Sequence, residues 1–142
     1  MKVLVIQGPN LNRLGKRTEF HYGAMTLEAL NECIREHGMS LGIETDFQQS
    51  NHEGQLIDWI HDSEGRYDAV LINPGAFTHY SYAIRDAIES VDLPFVEVHL
   101  SNIYEREPFR HVSVTAPVCR KQVYGMKERS YFEALDFLKT LL

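Results

Sequence analysis

At 142 residues, 44% hydrophobic and 24% charged, the chain has the make-up of one globular domain spanning 1–142, able to bury a core without staples. A formal net charge of −6, with Arg and Lys scattered among more numerous Asp and Glu, excludes nucleic acid as the expected partner. Cys33 and Cys119 form neither a CxxC pair nor a Cys/His cluster, and no apolar run nears the ~20 residues that cross a bilayer. The expectation is two free, partly buried thiols in a cytoplasmic protein with no membrane association, no disulfide and no zinc.

Val3–Ile6 is a compact β-branched run closed by Gly8-Pro9, and it reads as a buried first strand rather than a signal peptide. Thr26 is a helix N-cap ahead of Leu27, Leu30, Cys33 and Ile34, which recur at helical spacing. Ile43–Phe47 gives a second strand, and Leu56, Ile57 and Ile60 share one face of a second helix. Ala69–Ile72 is the third strand, ended by Asn73-Pro74-Gly75. A helix over Tyr80–Val91 turns Ala83, Ile84, Ala87 and Ile88 inward. Pro94–Val98 is the fourth strand and Val112–Val118 a weaker fifth; a helix over Tyr131–Leu142 closes the chain with Leu135, Leu138 and Leu142 on its apolar side. Strand alternates with helix, and the inner strands are almost continuously apolar. That pattern predicts an α/β fold, a flavodoxin-like doubly wound five-stranded parallel sheet with helices on both faces.

Ligands of such sheets bind beyond the carboxyl ends of the strands. Reading outward from those ends gives Asn10, Asn12, Arg13 and Arg17, then Ser50, Asn51 and His52. The third end adds Asn73, Thr78 and His79, and the fourth His99, Ser101 and Asn102. Any one of these polar residues is better explained as ordinary loop; four strand ends supplying His, Arg and amides together point to a pocket. The first turn carries neither GxGxxG nor GxxxxGK[ST], and acidic residues do not gather at the strand ends. The histidine spacing fits no metal motif, so acid–base use ranks above metal binding. Glycines bound residues 15–23, which reads as a mobile lid carrying Arg17 and Tyr22. A guanidinium beside a tyrosine would let a phenol of ordinary pKa ~10 act as a base at neutral pH. From these residues alone, a surface tyrosine with an ordinary arginine is the better account.

Four segments carry a resemblance: Val5-Ile6-Gln7-Gly8-Pro9-Asn10-Leu11-Asn12-Arg13-Leu14-Gly15, Gln49-Ser50-Asn51-His52-Glu53-Gly54, Ile72-Asn73-Pro74-Gly75-Ala76-Phe77-Thr78-His79 and Val96-Glu97-Val98-His99-Leu100-Ser101-Asn102. In this order they are similar to type II 3-dehydroquinate dehydratases over nearly the whole chain. The resemblance implies a cofactor-free hydro-lyase converting 3-dehydroquinate to 3-dehydroshikimate through an enolate, in the shikimate route or in quinate breakdown. It implies Tyr22 as base, Arg17 as the cation that keeps it ionised, and Asn10 as holder of a water against the enolate oxygen. It implies His99 as acid to the departing hydroxyl, oriented by Glu97. Leu100 and Ser101 would bind the substrate carboxylate, and Asn73, His79 and Arg110 the ring hydroxyls, with Arg106 near enough in sequence to compete for the role of Arg110. Asp86 would reach in from a neighbouring subunit, because the family forms trimers that assemble into dodecamers. Glu19 replaces the usual lid proline. Residues 121–131 keep Gly125 and Tyr131 but lose other family glycines, so backbone that needed positive φ is expected to rearrange there. A flavodoxin-like binder of flavin or a phosphorylated ligand, which would purify yellow, and a catalytically silent relative are the rival readings.

Overall fold

The β-branched and apolar runs of the sequence lie side by side in a sheet with the order β2-β1-β3-β4-β5, every pairing parallel. The strands are β1 (Lys2–Gln7), β2 (Glu44–Gln49), β3 (Ala69–Asn73), β4 (Phe95–His99) and β5 (Lys121–Tyr124). This computed structural model describes residues 1–16 and 24–142. The strand order is that of the flavodoxin-like doubly wound fold expected from the sequence. Among the described residues, no helix is long and apolar enough to cross a membrane.

Alternation along each strand divides the core in two. Val3, Val5, Leu71, Val96 and Val98 face α1 (Leu27–Ser40) and α4 (Glu128–Leu141), which bring Leu30, Ile34, Leu135 and Leu138. Leu4, Ile6, Val70, Ile72 and Phe95 face α2 (Glu53–Ser63) and α3 (Tyr82–Ser90), which bring Leu56, Ile60, Ile84 and Ile88. Because both faces are covered, β1, β3 and β4 are buried almost from end to end. Helix starts follow side-chain chemistry: the Thr26 hydroxyl accepts the Ala29 N–H at 3.2 Å, and the Ser81 hydroxyl accepts that of Ile84 at 3.0 Å.

Four expectations are corrected. The fifth strand is Lys121–Tyr124 and not Val112–Val118, whose end is a 3-10 turn at Ala116–Val118. Pro117 has no N–H to give a ladder, and Ser113 and Thr115 turn their hydroxyls toward β4 instead of lying in a pleat. Ala83 is exposed because the apolar stripe of α3 is narrower than the sequence suggested, and Leu142 is exposed because α4 ends at Leu141, one residue before it. Finally, the glycine-poor stretch keeps its positive-φ backbone: Gly125 has φ 83° and Lys127 φ 53°. The lysine holds a conformation that L-residues rarely adopt, and its N–H donates to the Leu100 carbonyl at 3.0 Å.

Candidate active site

The cleft opens where sheet geometry requires, beyond the carboxyl ends of β1, β3 and β4. Its walls come from the turns that follow those strands. Pro9, Asn10 and Leu11 follow β1, and Asn73, Gly75, Ala76 and His79 end or follow β3. His99, Leu100, Ser101, Ile103, Arg106 and Arg110 complete it, enclosing a cavity of about 120 Å³.

The β1 and β3 turns are held against each other. A Cβ on Gly8 would come within 2.7 Å of the Asn73 carbonyl oxygen and 2.9 Å of that of Pro74, so only glycine fits. The Gly8 N–H donates to the Asn73 carbonyl at 2.8 Å. On the other side, Asn51 Oδ1 accepts the backbone N–H of Asn10 at 2.9 Å, and Gln49 Nε2 donates to the Gly8 carbonyl at 3.1 Å. Thus Asn51, a candidate from the sequence, braces the turn from behind, and Asn10 is held at φ 71° with its side chain exposed at the cleft.

His99 ends β4, and its Nε2 lies 2.9 Å from Glu97 Oε2. Glu97 is fully buried, where an unpartnered carboxylate would be strongly destabilising. It is well supplied instead. Besides His99, Gln122 Nε2 donates to Oε2 at 2.7 Å, the Ser113 hydroxyl at 2.9 Å, and the Thr115 hydroxyl donates to Oε1. Thr78, also fully buried, joins this group through Ser113 at 2.7 Å and Thr115 at 2.8 Å. Burial by itself pushes the Glu97 carboxyl up, but the hydrogen bond and charge of His99, with the donors Thr115 and Gln122, outweigh it and hold the group below its ordinary value. An ionised Glu97 fixes a proton on Nε2, leaving Nδ1 as the ring nitrogen available to the cleft that His99 lines.

His79 Nδ1 lies 2.8 Å from the Val112 carbonyl, and since a carbonyl only accepts, Nδ1 carries the proton. Burial lowers its pKa, and the nearby charges of His99 and Arg110 act in the same direction. A neutral His79 therefore offers Nε2 as an acceptor to a hydroxyl in the cleft. The helix α3 that follows is capped by Ser81, which leaves His79 free of that duty. Arg110 is paired with Glu107 at 3.2 Å and stacks over Phe109, while Arg106 reaches Ser101 Oγ at 3.4 Å. Both arginines line the cleft.

Of the expected site residues, Asn10, Asn73, His79, His99, Leu100, Ser101 and Arg110 meet in this cleft, with Glu97 directly behind His99. Asp86 does not; it sits on the exposed face of α3. Arg17, Tyr22 and most of the segment read as a lid lie outside the described residues. Among the described residues, no group of three or more His, Cys, Asp or Glu side chains is arranged to hold a metal.

Comparison with known proteins decides the family. The model for dehydroquinase class II matches residues 1–139. The chain is 58% identical over 124 residues to the 3-dehydroquinate dehydratase of Halalkalibacterium halodurans, spanning 87% of this chain and 86% of that one. It is 54% identical over 134 residues to the 3-dehydroquinate dehydratase of Bacillus cytotoxicus, spanning 94% and 92%. The crystal structure of the type II dehydroquinase from Butyrivibrio crossotus superposes with a TM-score of 0.94 at 51% identity, over 97% of each chain. The chain belongs to the class II dehydroquinase family.

In the dehydroquinase cleft Pro9, Gly75 and Ala76 are the rigid turn residues that the sequence offers for holding a small ligand, and Leu11 lies in a segment that carries the resemblance. Ile103 adds apolar surface that no titratable side chain announces. Ser113, Thr115 and Gln122 escaped for a different reason: each is an ordinary polar residue until the fold sets it against Glu97.

Proposed function

We propose that this dehydroquinase eliminates water from 3-dehydroquinate to give 3-dehydroshikimate, as a cofactor-free hydro-lyase working through an enolate. The observation that carries the reading is the His99–Glu97 pair, set at 2.9 Å in the wall of a cleft formed by the turns that match the family. A ketone already acidifies the neighbouring C–H, so the protein needs to supply a base, an acid and a partner for the developing oxyanion.

Tyr22, with its phenol kept ionised by Arg17, takes the C2 proton. The electrons move onto the C3 oxygen, where a water held by Asn10 stabilises the charge. His99 then delivers a proton from Nδ1 to the C1 hydroxyl, which leaves as water, and Glu97 balances the imidazolium charge. Leu100 and Ser101 hold the carboxylate; Asn73, His79 and Arg110 hold the ring hydroxyls. Asp86 serves the cleft of a neighbouring copy in a trimer, and trimers build a dodecamer. Its exposed position on α3, one turn after the exposed Tyr82, supports an assembly role. The enzyme works in the cytoplasm.

The test is the absorbance of the conjugated enone formed from 3-dehydroquinate. Pure folded protein should generate it without added metal or cofactor, and should survive borohydride in the presence of substrate. No signal near neutral pH would end the reading. A Tyr22→Phe variant that kept most of its activity would end the role given to Tyr22.

A further inference from the structure

The edge strand β5 contributes one side chain to the buried charge cluster, and its place in the hydrogen-bond order is unusual. In the β4–β5 register Gln122 stands directly across from Glu97, and both side chains lie on the same face of the sheet. Its Nε2 donates at 2.7 Å to Oε2, the oxygen that also receives the His99 ring N–H. A carboxylate can only accept, so the amide must present its nitrogen inward and its oxygen outward. That outward oxygen is occupied: the Tyr104 hydroxyl donates to Gln122 Oε1 at 2.7 Å. Tyr104 is in turn steadied by Tyr124, whose ring meets it edge-on at 4.9 Å. One continuous run of hydrogen bonds therefore leads from a half-exposed phenol, through an amide with a fixed orientation, to the carboxylate and the imidazole at the cleft.

We infer that Gln122 is a positioning residue for the dehydration, holding Glu97 Oε2 in the place and charge state that His99 requires, with Tyr104 fixing the amide. The inference rests on the proposed role of His99 as the acid. Ser113 also donates to Oε2, at 2.9 Å, and Thr115 donates to Oε1, but both come from the loop after β4, whereas Gln122 is fixed opposite Glu97 by the β4–β5 register. Losing Gln122 leaves a fully buried carboxylate short of a donor at the oxygen that orients the ring. The catalytic consequence falls on proton delivery and not on substrate contact, since Gln122 does not line the cleft. The other titratable groups whose charge reaches this carboxylate are His99, His79 and Cys119, and Tyr104 stands behind Gln122.

The experiment uses full-length enzyme and compares Gln122→Met, which keeps the shape and removes the donor, with Gln122→Glu. For Gln122→Met, kcat should fall roughly tenfold with KM within about twofold of wild type, as expected for a lost orienting contact to a general acid. In Gln122→Glu two carboxyl groups face each other. When they share a proton, the introduced carboxyl can donate the missing hydrogen bond; once both are ionised they repel. The kcat of Gln122→Glu relative to wild type should therefore rise as pH is lowered, which a merely structural role would not produce. Circular dichroism melts establish that both variants are folded. Wild-type kcat in Gln122→Met, or a Gln122→Glu ratio that does not change with pH, would overturn the inference. Failure of the wild-type protein to dehydrate 3-dehydroquinate would instead sink the function on which it rests.

Discussion

Among the described residues a hydrogen-bonding cluster is buried on each face of the sheet near the strand ends, and the two differ in charge. On the α1/α4 face the Tyr131 hydroxyl donates to Gln7 Oε1 at 2.6 Å and accepts from Asn73 Nδ2 at 2.8 Å, while Gln7 Nε2 donates to Asn31 Oδ1 at 3.2 Å. The phenol is fully buried, and burial pushes its ionisation up and out of reach. On the α2/α3 face the corresponding place is taken by Glu97 with its four side-chain donors. A neutral cluster needs only matched donors and acceptors, so it can fix Asn73 at the cleft without responding to pH. A carboxylate needs donors in excess, and those same donors make it a charge the cleft can use. One face supplies rigidity, and the other holds the charge on which the proposed proton chemistry rests.

The strongest test of this division is to remove the charge. We expect Glu97→Gln to lower kcat by about 10²- to 10⁴-fold in the enone assay, because an amide can neither fix the tautomer nor balance the imidazolium. Tyr131→Phe should cost far less activity; equal losses would erase the distinction between the faces. Stability at neutral pH gives a second measure of the uncharged face. Tyr131→Phe strands buried amide groups on Gln7 and Asn73 and should cost about 1–3 kcal/mol in urea unfolding, by an amount that is the same at pH 5 and pH 8.

Acid separates the faces again. The carboxyl of Glu97 is held below its ordinary value, so the unfolded chain takes up that proton first, and folding stability is lost as pH drops from the unfolded-state value of about 4.3 through the folded one. Denaturant midpoints measured between about pH 6 and pH 3 should show this loss, and it should be smaller in Glu97→Gln relative to that variant's own neutral-pH value. The smallest effect expected is at the turn that joins β5 to α4. Lys127→Gly relieves a positive φ and should stabilise by roughly 1 kcal/mol, read as a raised Tm with kcat unchanged.

Much of this architecture is legible in the residues. Val3–Ile6 and Ala69–Ile72 are apolar on both faces, which is what a covered parallel sheet demands, and Phe95–Val98 is so but for Glu97; they became β1, β3 and β4. β5 was hidden because an edge strand needs little burial: of Lys121–Tyr124 only Val123 is buried. Val112, Val114 and Val118 imitated a strand more convincingly, yet that stretch serves to carry two hydroxyls across β4. The cleft was readable wherever a titratable or amide side chain follows a strand, as with Asn10, Asn73, His79 and His99. It was unreadable where the contribution depends on register. Nothing in Lys121-Gln122-Val123-Tyr124 marks Gln122 until β5 is laid against β4.

The close approach of Gly8 to the Asn73–Pro74 backbone bears on binding as well as on shape. Two turns from strands far apart in sequence are welded into one body, so on that side the cavity has its walls in place before a ligand arrives. Little conformational entropy remains to be surrendered there when a ligand meets the wall that Asn10 and Asn73 form, so less of the contact energy is spent on ordering it.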